Sequence, residues 1–130
     1  MIFILEDEHL VQECWRDQLS FRGLREGADF VFAEDFHAAR TVWEMHRNEI
    51  DVVILDHRLA GTSTGLDVLN ELSQDDRFPD ILVVRCSSFK ESGYPRSIPW
   101  FSKFEFRDCI NYIWHRQQKQ QSRVDHADEA

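Results

Sequence analysis

Asp51-Val52-Val53-Ile54-Leu55-Asp56, followed by His57-Arg58-Leu59-Ala60-Gly61-Thr62-Ser63-Thr64-Gly65, is the stretch on which the fold turns. Four consecutive apolar residues between two aspartates suit a strand buried on both faces of a parallel sheet. The run stops on an acid, and a Gly/Ser/Thr-rich loop separates it from an apolar helical pattern. Open α/β sheets place their chemistry at the carboxyl ends of the strands. Asp56 is therefore the candidate centre of the molecule.

On either side of this stretch, strand and helix patterns alternate. Ile2 to Leu5 is an apolar run halted by Glu6-Asp7-Glu8. Val11, Cys14, Trp15 and Leu19 share a helical face, and Gly23 and Gly27 mark its exit. Asp29 to Ala33 reads as a second strand. Asp35 has the chemistry of an N-cap for a helix carrying Phe36, Ala39 and Trp43 to about Asn48. After the central strand, Thr64 and Asp67 have capping-box spacing, and Val68, Leu69 and Leu72 form the stripe of a third helix. Pro79 interrupts the chain, and Ile81-Leu82-Val83-Val84 starts a fourth strand running towards Cys86-Ser87-Ser88.

Between Phe89 and Pro99 two prolines, a glycine and few apolar residues leave no room for a full helix. Trp100-Phe101 is a short fifth strand. Phe106, Ile110, Ile113 and Trp114 then form the apolar face of a last helix. From residue 117 the composition turns to Gln, Arg and Asp without a stripe, as in a helix end and disordered tail. The domain thus occupies residues 1–116 and the tail 117–130. The alternation implies right-handed crossovers and a flavodoxin-like five-stranded parallel sheet, order 2-1-3-4-5, with helices on both faces and a shortened or missing fourth helix.

Bulk composition narrows the function. The 130 residues suffice for one domain with a real core, and 42% hydrophobic content excludes a disordered body. A net charge of -9 opposes a nucleic-acid interface and adhesion to anionic membranes. Cys14, Cys86 and Cys109 are scattered, as free thiols in a reducing compartment are. The short apolar opening lacks a basic n-region, so a cytoplasmic protein is expected. The six histidines show no zinc-ligand spacing.

The 2-1-3-4-5 order would gather Glu6, Asp7 and Asp56 at one end of the sheet. Crowded carboxylates repel unless one is protonated or a cation sits among them. An all-oxygen set suits Mg2+, and a carboxylate beside it can attack a phosphoryl group. Ser87 and Lys103, at the ends of strands four and five, would hold the phosphoryl oxygens. His57 and Arg58, flanking Asp56, are either a solvated rim or groups that control the access of water and phosphodonor.

Over residues 1–116 the chain resembles the receiver domain of two-component response regulators, the stand-alone kind in particular. The resemblance rests on Ile4-Leu5-Glu6-Asp7-Glu8, on Val53-Ile54-Leu55-Asp56 with Leu59 and Gly65, and on Ser87 and Lys103. It implies that Asp56 is the phosphoacceptor and that Glu6, Asp7, Asp56 and the Arg58 carbonyl bind Mg2+. It further implies that Ser87 is a switch hydroxyl and Trp100 a switch aromatic. The expected function is a signalling switch, not a turnover enzyme. Its partners would be a sensor histidine kinase or phosphotransfer protein and a downstream protein target, and it would be a monomer or weak dimer.

Three departures stand out. The loop after Asp56 is a residue longer and lacks the usual proline, Phe104 replaces the proline after the lysine, and the segment before Lys103 is short. A phosphatase of the haloacid-dehalogenase type would want a second acid where Arg58 stands. A degenerate receiver acting as a phosphorylation-independent docking module is the remaining alternative.

Overall fold

The computed structural model describes the backbone of residues 1–129 and the side chains of residues 1–119. The strands are β1 (Ile2–Leu5), β2 (Phe30–Ala33), β3 (Val52–Leu55), β4 (Leu82–Ser87) and β5 (Trp100–Ser102). The helices are α1 (His9–Phe21), α2 (Phe36–His46), α3 (Gly65–Leu72) and α4 (Phe106–Glu129), with a 3-10 turn at Phe78–Asp80. All strand pairs are parallel, in the order β2-β1-β3-β4-β5. The fold is the flavodoxin-like one expected from the alternation.

Each strand sends successive side chains to opposite faces, so the sheet carries two cores. Ile2, Ile4, Val52, Ile54 and Val84 meet Val11, Trp15 and Leu19 of α1 and Ile110 and Ile113 of α4 on one side. Phe3, Leu5, Val53, Leu55 and Val83 meet Trp43 of α2 and Leu69 and Leu72 of α3 on the other. At about 2 kcal/mol for each fully buried Leu, Ile or Val, these stripes hold the helices to the sheet, while Leu10 and Phe21 of α1 and Met45 of α2 stay exposed.

Local chemistry sets the helix starts. The Asp35 side chain accepts from the Ala38 N–H at 2.7 Å, and Thr64 and Asp67 form the reciprocal capping box. Among the described residues no helix forms between β4 and β5, so the fourth helix of a regular alternation is missing. Helix α4 runs past the expected end at 116. Its later residues contain no proline or glycine to stop it, and Gln, Lys and Arg are good helix formers. Ala130 of the expected tail lies outside the described residues. Among the described residues no helix is long and apolar enough to cross a membrane.

Candidate functional site

Backbone register places the acids. Leu5 and Leu55 are partners across β1 and β3, so Glu6 and Asp56 leave adjacent strands side by side. The Asp56 N–H donates to the Leu5 carbonyl at 3.1 Å, which carries the pairing one residue beyond the strand. Both side chains are buried, with Glu6 2% and Asp56 3% exposed. Gln12 of α1 fixes the turn after β1 by donating to the Glu6 carbonyl at 2.7 Å.

Lys103, the first residue after β5, enters the same place. Its Nζ stands 2.9 Å from Asp56 Oδ2, 3.4 Å from Glu6 Oε2 and 2.6 Å from Glu8 Oε1. The chain then turns into α4 through Phe104, whose φ of 74° is a left-handed conformation costing a non-glycine residue about 1 kcal/mol. Carboxylate oxygens of Glu6, Asp7 and Glu8 lie within 4.8 Å of one another. The structure thus brings Glu6, Asp56 and Lys103 together, with Asp7 beside Glu6. Glu8 is an addition. Its acid was visible in the sequence as the third in a row, but nothing there pointed it at Lys103.

The electrostatics are those of a site short of positive charge. Burial pushes Glu6 up to about 8, and the facing Asp56 charge adds to the rise. Burial also raises Asp56, against the opposing pull of Lys103. For Lys103, burial works to lower the pKa, but its bond to Glu8 and the close negative charges of Asp56 and Glu6 outweigh it and the ammonium is held charged. Asp56 Oδ2 remains a buried oxygen without a properly aligned hydrogen bond, because the lysine contact is close but poorly directed. Hard oxygen donors, an acid whose affinity for a proton is raised by burial, and a buried carboxylate oxygen without an aligned hydrogen bond fit a divalent cation of the Mg2+ class.

Ser87 does not join this cluster. Its Oγ donates to the Phe89 carbonyl at 2.7 Å, lies 3.2 Å from Glu91 Oε2, and accepts from Trp100 Nε1 at 3.0 Å. Only its backbone carbonyl meets the site, accepting from the Lys103 N–H at 3.2 Å. The physical reason is the segment after β4, which folds back and supplies nearer acceptors. Trp100 is half-buried and bonded to Ser87, so the two expected switch residues touch each other. Arg58 is exposed in the loop after Asp56, its backbone bridged to Thr64.

Sequence reasoning missed two residues, Arg85 and Tyr94, and gave His57 no partner. Arg85 is 5% exposed, its guanidinium lies 3.8 Å over the Tyr94 ring, and it pairs with Glu91 at 3.3 Å. His57 Nδ1 and the Tyr94 hydroxyl are hydrogen-bonded at 2.8 Å. A charged residue inside an apolar strand was a readable signal for Arg85. Tyr94, in a stretch without periodicity, offered none.

Comparison with known proteins agrees with this architecture. A family model described as the response regulator receiver domain matches residues 2–97. No curated protein matches the sequence at a significant level. Among solved structures, a two-component transcriptional regulator from Clostridium phytofermentans superposes with TM-score 0.66 at 18% identity, covering 99% of this chain and 98% of that one. A two-component response regulator from Legionella pneumophila gives 0.67 at 20% identity, covering 90% and 97%. A response regulator in its Mn2+-bound form gives 0.64 at 17% identity, covering 86% of each chain. At these identities the likeness is one of fold, whereas the family model reads the sequence itself. With the acids at the ends of β1 and β3 inside the matched span, the chain belongs to the response regulator receiver domain family.

Proposed function

We propose that Asp56 accepts a phosphoryl group from a histidine kinase or phosphotransfer protein and that the modified chain presents an altered surface to a protein target. The observation that carries this is the burial of Glu6 and Asp56 against Lys103 at adjoining strand ends, with Asp7 alongside. Glu6, Asp7, Asp56 and the Arg58 carbonyl would hold Mg2+. Bound there, the ion would offset the charge of the carboxylates and of the incoming phosphoryl oxygens. One structural relative was solved with Mn2+, another oxygen-seeking divalent cation.

An Asp56 carboxylate oxygen attacks phosphorus, the bond from phosphorus to the donor breaks, and the donor leaves with the electron pair. The product is an aspartyl phosphate. Lys103 Nζ, already 2.9 Å from Asp56 Oδ2, pairs with a phosphoryl oxygen. Return to the resting state is hydrolysis: water attacks phosphorus, the phosphorus–carboxylate bond breaks, and inorganic phosphate departs. The chain is thus a self-modifying acceptor and not an enzyme that turns over a separate substrate. For Ser87 to reach the phosphoryl group, its hydroxyl must leave Phe89 and Trp100, which would pass the change to β5. With no helix between β4 and β5, the target would read the 88–99 segment and α4. The chain would act as a cytoplasmic monomer or weak dimer, and its net charge of -9 speaks against a nucleic-acid partner.

Incubation with acetyl phosphate and Mg2+, read by intact mass, tests this. The wild-type chain should gain one phosphoryl group, and Asp56→Asn or removal of the metal should abolish the gain. No adduct on the wild-type chain, or one that survives Asp56→Asn, overturns the proposal.

A further inference from the structure

The 88–99 segment stands in place of a helix, yet it is fastened to the sheet. Arg85 is the anchor: one guanidinium nitrogen donates to the Glu91 carbonyl at 3.0 Å while the same group stacks on Tyr94. Gly93, at φ 98°, turns the chain just before Tyr94, and a Cβ there would stand 3.1 Å from a Leu66 methyl of α3. Tyr94 is therefore held from below by Arg85 and from behind by a close backbone approach.

Its free end reaches the acceptor loop. The Tyr94 hydroxyl bonds His57, the residue that follows Asp56, and the two rings meet edge to face with centroids 5.7 Å apart. Gly65 closes the same spot. A Cβ on Gly65 would collide with the Asp56 carbonyl oxygen and come within 3.0 Å of the Tyr94 hydroxyl. The Gly65 N–H donates to the His57 carbonyl at 2.8 Å, so the two ends of the loop are tied where the tyrosine sits. Burial pushes the Tyr94 hydroxyl up to about 12, which keeps its proton in place.

We propose that Tyr94 is a positioning residue for the acceptor, holding the 57–65 loop closed through His57 and thereby slowing the attack of water on a phosphoryl group carried by Asp56. This rests on the phosphoacceptor reading above and deepens it, since it assigns the lifetime of the modified state to a segment outside the acid cluster. A packing role for the ring alone is separable from it. Tyr94→Phe retains the ring and its stack on Arg85 and removes only the bond to His57.

The experiment compares the wild-type chain, Tyr94→Phe, His57→Gln and the double variant. Each is loaded with acetyl phosphate and Mg2+, freed of donor, and followed by intact mass as the adduct decays. Tyr94→Phe should lose its phosphoryl group about fivefold faster, the weight of one net hydrogen bond. In the His57→Gln background it should add nothing further, because the two residues act as one unit. Hydrogen exchange on the unmodified chains should show the 57–65 amides about fivefold faster in Tyr94→Phe. Unchanged decay, or effects of the two substitutions that simply add, overturns the proposal. Absence of any adduct on the wild-type chain refutes the phosphoacceptor reading and the shielding role with it. The exchange measurement then still decides whether Tyr94 holds the loop.

Discussion

Glu6 and Asp56 are both placed by the backbone, whereas in the pair Arg85 and Tyr94 the strand places only Arg85 and its guanidinium places the ring. The first pair leaves adjacent strands at residues already in register, so any chain with these strands would carry acids at these positions to the same point. The second pair depends on a guanidinium meeting a ring 3.8 Å away, with an irregular segment folded to deliver the ring. Both regions carry charge away from open solvent, the first containing the acceptor and the second, half-buried at Tyr94, reaching the residue after it. They differ in what sets them: sheet topology in one, side-chain complementarity in the other. A site of the first kind is specified by the fold, and one of the second kind by the particular side chains that meet.

The largest effect that would separate the two regions is a pH dependence confined to the acids. Glu6 is raised from 4.5 to about 8 in the folded chain. Between those values the folded chain holds a proton that the unfolded chain has released, so the metal-free protein should lose stability as pH rises through this window. Urea unfolding at several pH values should show the decline. Glu6→Gln should flatten it, and so should saturating Mg2+, which takes the proton's place. A metal-free profile that rises from pH 5 to 8 would break the account of the acid end.

Next in size is Arg85→Ala. It removes the stack on Tyr94 and leaves Glu91 without its ion-pair partner, with only the Ser87 hydroxyl near it. Because the Glu91 side chain is 22% exposed, the cost should sit at the low end for a buried pair, about 3 kcal/mol by urea unfolding. Mg2+ affinity should fall far less than in Glu6→Gln, because the three acids do not depend on this network and only the Arg58 carbonyl lies in the loop that Tyr94 holds. A loss of Mg2+ binding equal to that of Glu6→Gln would show that the two regions are one.

The smallest effect is that of Trp100→Phe, which deletes the bond to Ser87 Oγ and leaves most of the ring's packing. It should cost about 1 kcal/mol in the same measurement. Phosphoryl gain on Asp56 should continue in this variant, since Ser87 lies outside the acid cluster.

The same contrast explains what could be read from the sequence. Val52–Leu55 announced itself by four apolar residues, and its neighbours by strand–helix alternation. Register then carried Glu6, Asp56 and Lys103 to one place without any knowledge of side-chain contacts. The Asp35 cap and the Thr64–Asp67 box were legible because capping is a matter of spacing. Ser87 had the right residue type at a strand end, but its hydroxyl bonds depend on Phe89, Glu91 and Trp100, whose positions follow from an aperiodic segment. The length of α4 was missed for a different reason. A stripe reports where a helix is packed, and the sequence from residue 117 carries no stripe although the backbone of α4 runs to Glu129.

The most direct measurement of the central claim is to locate the phosphoryl group. The protein is treated with acetyl phosphate and Mg2+, reduced with borohydride so that an acyl phosphate becomes an alcohol, then digested and sequenced by mass. Homoserine at position 56, and at no other acid, is the result predicted. Reduction at Asp7 or Glu6, or none in a chain that has gained phosphate, would contradict it.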